Sequence, residues 1–351
     1  MAGPYAPPAG VAGSDAVAAD NAAFVQWADG GTVSRGRTDI TSMASPAAGF
    51  GTIADAFGVA DAAGNSSLPV ISLGDGGSAA LTFARPIQDV PGPDFAVFEN
   101  SFDDTFLELA HVEVSSNGLD FYRFPSVSLT QTAVQTGTFG VLDATNLHNL
   151  AGKYRRGFGT PFDLAGMKGL YPLLDTQRIT HVRVVDVVGS IGVAFGTRDS
   201  LGNLINDPFK TNFSTGGFDL DAVGAFSKLP VDFAEWLESQ GRVVVSPKKD
   251  FLGKGVPQLV EYFTGGSDLK LEQGVSQVAF DWLSYRTDGN FWIEGSVDLD
   301  RWDVLAESIG GGTMTKVDSG VVLSVAGGGK KRVTIVLGAG SPYRFFRLGA
   351  E

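Results

Sequence analysis

Hydrophobic positions in this chain recur mostly with a period of two, in short runs broken by glycine, asparagine and aspartate. His111-Val-Glu-Val-Ser115 alternates, Ser116-Asn-Gly118 turns, and Phe121-Tyr-Arg-Phe124 returns, which predicts a hairpin. Val70-Ile-Ser-Leu73 and Ser78-Ala-Ala-Leu-Thr-Phe83 flank Gly74-Asp-Gly-Gly77 and predict a second hairpin. Asp94-Phe-Ala-Val-Phe-Glu-Asn100 reads as a buried strand with a polar end. Thr180 to Val188 and Gly217 to Phe226 read as two further strands. Residues 1–70 are rich in Ala and Gly with weak periodicity, and Phe24 and Trp27 are the expected core anchors there.

Helical spacing stands out twice. Val231 to Glu238 places Phe233, Trp236 and Leu237 on one face, and Pro257 to Phe263 runs into Gly265-Gly266, a helix stop. Beyond these, Phe291 to Val297, Trp302 to Leu305, Lys331 to Leu337 and Tyr343 to Leu348 again read as strands. The pattern predicts an all-β protein. A jelly-roll-like antiparallel β-sandwich is expected over residues 1–228, a short helical linker over 229–270 and a smaller β-sandwich over 271–351.

Composition narrows the function. The 351 residues carry 26 Lys plus Arg against 39 Asp plus Glu, a formal charge of −13, which repels phosphate backbones and argues against a nucleic-acid partner. With no cysteine, disulfide frameworks, thiolate metal sites and Cys nucleophiles are excluded. The three histidines do not suffice for a His-rich transition-metal centre. The chain opens without a basic and then apolar leader and has no apolar run of membrane-spanning length, so no membrane insertion is expected. Abundant Gly, Ala, Ser and Thr with sparse Lys fit an exported bacterial protein whose signal has been removed. Together with the resemblance described next, which carries most of the weight, this sets the expected location as extracellular or at the cell surface.

Residues from about 45 to 226 resemble an uncharacterised family of exported bacterial cell-surface proteins. The matching text includes Gly92-Pro-Asp-Phe-Ala-Val-Phe-Glu-Asn-Ser-Phe102, the His111-Val-Glu-Val-Ser-Ser-Asn-Gly118 stretch, Asn149-Leu-Ala-Gly-Lys-Tyr154, Gly157-Phe-Gly-Thr-Pro-Phe-Asp163 and Gly216-Gly-Phe-Asp-Leu-Asp221. The resemblance implies export and surface display but carries no assigned activity. Residues 231–351 are similar to a C-terminal module of exported proteins from Verrucomicrobia-type bacteria, through Glu235-Trp-Leu237, the Asp250 to Gly255 loop, Glu261-Tyr262 and the closing Arg-Phe-Phe-Arg-Leu strand.

That Asp250 loop has the outline of a calcium loop, with Gly255 and Glu261 at the right spacing. However, Leu252 and Lys254 stand where oxygen ligands are needed, so no calcium is expected there. The better candidates for Ca²⁺ are Asp219 and Asp221, two apart on a strand and so on one face, together with Glu99, Asn100 and Asp104. Asp186 and Asn206-Asp207 are secondary candidates. The same acids also fit a second role, accepting hydrogen bonds from backbone and arginine groups at a sheet end. His148, Tyr154, Arg155 and Arg156 form a basic, aromatic-bearing stretch that could hold a sugar or an anion, or could pair with surplus carboxylates. A glycosidase needs two carboxylates about 5–10 Å apart, which Glu99, Glu108, Glu113 and Asp186 could supply in any number of ways. No nucleophile elbow, zinc-protease motif or phosphate loop is present.

The expected function is a non-enzymatic, calcium-stabilised surface or matrix module that binds carbohydrate. A self-assembling structural protein and a carboxylate-based glycoside hydrolase or lyase are the alternatives.

Overall fold

A computed structural model describes residues 2–242, 257–265, 270–272, 277–327, 329–338 and 341–351. The chain divides into two compact units, Met1–Leu229 and Pro230–Glu351. Among the described residues no helix is long and apolar enough to cross a membrane.

The first unit is an antiparallel sandwich. A five-stranded sheet runs in the order Gly30–Ser34, Ser78–Ile87, Ile179–Asp186, Ala110–Ser115, Tyr122–Arg123. A six-stranded sheet runs Val17–Ala18, Phe158–Phe162, Phe95–Glu99, Asp219–Ala225, Gln26–Trp27, with Ile71–Ser72 beside Asp219–Ala225. The six longest strands from Ser78 onward alternate between the two sheets, which is the crossing pattern of a jelly roll. Leu81, Val112, Val114, Val182 and Val184 from one sheet meet Phe95, Val97, Phe162, Leu220 and Val223 from the other in a single core.

Phe95–Glu99 and Asp219–Ala225 are buried at every residue, although a sandwich strand ordinarily buries alternate positions. The outer face is covered too: Ala96, Phe98 and Ala222 pack under Phe24, Trp27 and Phe226. The Phe24 and Phe226 rings stack at 4.4 Å. Phe98, fully buried under them, contributes about 1.5–3 kcal/mol.

The expected hairpin over Phe121 to Phe124 forms, with Glu113 opposite Arg123 and Val114 opposite Tyr122. The one expected around Gly74 to Gly77 does not. Ile71–Ser72 pairs with Asp219–Ala225 in one sheet, while Ser78–Ile87 pairs with Ile179–Asp186 and Gly30–Ser34 in the other. A glycine turn has the same local chemistry whether the chain returns to its own sheet or crosses to the next.

In the second unit, Phe233–Ser239 and Gln258–Thr264 are helices. The first is capped by the Asp232 side chain accepting from Glu235 N–H, and the second is closed by Gly265 in the left-handed region. Leu259, Val260, Tyr262 and Phe263 join the core of this unit with Phe280, Trp282, Phe291, Leu305 and Ile335. Those residues come from two four-stranded antiparallel sheets, so this unit is also a sandwich. The Asp250 loop lies outside the described residues, apart from Glu261, which pairs with Arg242 at 2.9 Å.

Candidate functional site

The strand register brings acids to one end of the first sandwich. Glu99 closes its strand opposite Leu220, the second residue of the antiparallel Asp219–Ala225 strand, so Glu99 and Asp219 lie at the same edge. Asp186 ends its strand opposite Ala110, and Glu108 lies two residues before Ala110. Asp207 accepts from Leu109 N–H at 3.1 Å and so sits against the same segment. Backbone close approach holds the edge: a Cβ on Gly152 (φ +79°) would lie 1.8 Å from the Glu108 carbonyl oxygen.

Hydrogen bonding accounts for only part of these carboxylates. Asp219 accepts from the Ser72 hydroxyl and from Asn100 Nδ2 at 3.0 Å. Asp186 accepts from Gly76 N–H at 2.8 Å and Phe218 N–H at 2.7 Å. Glu99 Oε2 accepts from Ser101 N–H at 2.7 Å and from its hydroxyl. Glu99 Oε1 and Asp207 Oδ1 are buried and have no partner. Among the described residues, no lysine or arginine pairs with Glu99, Glu108, Asp186, Asp207 or Asp219.

Burial without a counter-charge raises proton affinity. Burial, reinforced by nearby Asp219, pushes Glu99 up to about 8. Asp219 rises to about 6 through burial, restrained by its Ser72 and Asn100 hydrogen bonds. Burial and then the neighbouring carboxylates hold Glu108 well above its ordinary range. Asp186 and Asp207 rise for the same first reason, opposed by backbone N–H donors. Asp75, whose Oδ2 accepts from Ile40 N–H at 2.8 Å, is raised by burial as well.

Of the residues expected to bind metal, Glu99, Asn100 and Asp219 come together, joined by Asp186 and Asp207. Asp221 does not join them. The register shifts between Leu220 and Ala222, and the Asp221 carboxylate turns to Asp61 N–H and Ala62 N–H at 3.3 and 3.4 Å. Burial raises it to about 7 in that separate setting. Asp104 forms an ion pair with Arg155 at 2.6 Å. Glu108 and Asp75 belong to the acidic end but gave little sign of it in sequence. Asp75 reads there as a turn residue, and only the strand crossing brings it near.

The basic stretch is spread over several tasks. Tyr154 is 1% exposed and its hydroxyl donates to Asp15, so its ring offers no open face for stacking. His148 stacks on Tyr5 at 5.0 Å. Arg155 lies over Phe158 at 4.6 Å, and the Arg156 backbone N–H donates to the Ser101 carbonyl.

Exposed aromatic surface lies elsewhere. Phe102, Phe139 and Phe213 are 58%, 73% and 48% exposed. With Phe106 they form a continuous ridge, Phe102 to Phe106 at 5.4 Å, Phe106 to Phe139 at 6.1 Å and Phe139 to Phe213 at 6.1 Å. Three loops supply it, tied together by Leu142 N–H to Thr105 O at 2.8 Å and Phe209 N–H to Thr136 O at 3.1 Å. Glu99 and Glu108 stand at the two roots of the first loop, and Asp207 and Asp219 at the roots of the third. A shallow polar groove of about 430 Å³ lies along Ser128, Thr130, Thr132, Arg198 and Asn203.

Asp89, Asp94 and Asp163 bring carboxylate oxygens within 4.8 Å of one another. Asp94 belongs to the opposite end of the Phe95–Glu99 strand from Glu99. Both its oxygens already accept backbone bonds, from Val90 N–H at 2.7 Å and Leu164 N–H at 2.6 Å. Comparison with protein-family models and with curated protein sequences finds no match to either.

Proposed function

We propose that the first unit is a non-enzymatic binding module of an exported bacterial surface or matrix protein, and that its ligand is carbohydrate. The observation that carries this reading is the ridge of Phe102, Phe106, Phe139 and Phe213. Exposed contiguous apolar surface on a folded domain marks an interaction site. A run of neighbouring rings offers repeated faces to the C–H surfaces of successive sugars, and the hydroxyl-lined groove at Ser128 and Thr130 suits sugar hydroxyls. The export part rests on the resemblance of residues 45–226 to surface proteins. Glu99, Asp186 and Asp207 are closed off from solvent, which disfavours a carboxylate pair working across a glycosidic bond.

The test is a glycan array with the wild-type chain and Phe139→Ala. Binding to a polysaccharide class that falls by about 10-fold or more in Phe139→Ala supports the reading, since a central aromatic anchor is worth about 2 kcal/mol or more. Folding should be untouched, because the ring is exposed. No glycan binding, with concentration-dependent assembly that Phe139→Ala abolishes, replaces it with the self-assembly reading. Release of sugar from a polysaccharide would make the protein a hydrolase or lyase.

A further inference from the structure

The acidic end poses a problem of charge that the sandwich alone does not solve. Six acids, Asp75, Glu99, Glu108, Asp186, Asp207 and Asp219, are buried within electrostatic reach of one another, and among the described residues no basic side chain is bonded to them. Two of their oxygens, Glu99 Oε1 and Asp207 Oδ1, are shut away from water with no donor, an arrangement native proteins rarely keep without a purpose. Asp186 is held by two backbone N–H groups, one on each oxygen, and Asp75 faces Ile40, which leaves Glu99, Glu108 and Asp207 with oxygens that no donor among the described residues reaches, beside Asp219, whose two oxygens accept only from the Ser72 and Asn100 side chains.

We infer that Glu99, Glu108, Asp207 and Asp219, with Asn100 as a neutral oxygen donor, bind one Ca²⁺ at the roots of the loops that display the phenylalanine ridge. Hard oxygen donors alone, without sulfur or imidazole, select a hard cation. Ca²⁺ accepts six to eight oxygens in flexible geometry, whereas Mg²⁺ keeps several waters that this closed end does not suit. No three of these carboxylates place oxygens within 4.8 Å of one another, so binding draws Glu99 and Glu108 inward by rotation about their own side-chain bonds. The ion neutralises charge that otherwise must be neutralised by protons, and it ties the 101–107 and 208–218 loops to one point. This site does not depend on what the ridge binds.

The test is calorimetric titration of CaCl₂ into the full chain, with melting followed in CaCl₂ and in EDTA. One calcium is expected per chain. The first unit should melt about 5–10 °C higher when free calcium stands about a hundredfold above the dissociation constant. Glu99→Gln and Asp207→Asn, which keep shape and remove charge, should each weaken calcium binding at least about 10-fold. Asp94→Asn and Asp221→Asn, away from the site, should bind as the wild type does. Should Glu99→Gln fail to fold, Glu108→Gln supplies the same comparison. The inference is overturned if the wild type shows no binding at ~10 mM calcium, well above the range of extracellular calcium modules. Unchanged binding in Glu99→Gln and Asp207→Asn would overturn it equally. So would a calcium-independent wild type whose melting temperature rises in Glu99→Gln, because that is the behaviour of carboxyls that merely share protons.

Discussion

The acidic end of the first unit and the sheets of the second handle their carboxylates in opposite ways. In the second, Asp281 lies between Arg332 at 3.0 Å and Lys330 at 3.4 Å, and Glu294 pairs with Arg347 at 2.7 Å. Burial works against the charge on Asp281, but its basic neighbours together outweigh it and hold the carboxyl below the usual carboxylate range. In the first unit, Glu99, Glu108, Asp207 and Asp219 are buried without such partners, and their proton affinities rise. The contrast teaches that a chain of charge −13 does not spread its surplus evenly. Among the described residues it gathers a cluster of unpaired acids at one end of the first sandwich, at the roots of loops bearing exposed phenylalanines.

The strongest way to break this comparison is pH. Glu99 is raised from 4.5 to about 8 and Asp219 from 3.8 to about 6. For a raised acid, the folded state binds more protons than the unfolded chain between the two values. The stabilisation is therefore complete below about pH 4 and is lost as pH climbs through 6 to 8. In EDTA, unfolding monitored from pH 4 to 8 should show a loss of several kcal/mol for the first unit, at about 1.4 kcal/mol per decade for Glu99, with Asp219 and Asp221 adding to it in the same sense. Asp281, held low, has the opposite sign: its contribution is present at neutral pH and is lost as pH falls through its folded value. A first unit whose stability is flat between pH 5 and 8.5 in EDTA would remove the distinction.

A geometric perturbation comes next. Gly152→Ala forces a Cβ to within 1.8 Å of the Glu108 carbonyl and 3.0 Å of the Phe218 ring, in a left-handed backbone. It should cost about 3 kcal/mol or more by urea denaturation. A near-neutral result would show that the acidic end is loosely held. The smallest effect is expected from Arg332→Ala. That pair is partly exposed, so its loss should lower stability by less than ~1 kcal/mol. A larger loss would mean that the second unit relies on its ion pairs as much as the first relies on burial.

Much of the scaffold could be read along the chain. Alternation in His111–Ser115, the β-branched run of Ile179–Asp186 and the helical spacing around Trp236 each carry a local signal strong enough to survive packing. Part of the acidic end was legible too, because Glu99-Asn100 and Asp219 sit at strand ends, where polar residues in a buried run call for an explanation. Asp221 shares the same two-residue spacing with Asp219, yet a bulge between Leu220 and Ala222 sends it elsewhere. The phenylalanine ridge left no trace, since its rings come from three loops with no common period. Tyr154, conspicuous in sequence beside its basic neighbours, turned out to be closed in against Asp15.

The order of hydrophobic and polar residues was thus enough to determine an all-β, two-sandwich protein with unusually acidic composition, because burying one face of each strand is a local demand written residue by residue. Which acids meet, which rings stay in water and which turn crosses between sheets were decided by tertiary structure alone. Those outcomes depend on strand register and on contacts between segments from tens of residues to more than a hundred apart, and no local pattern encodes either.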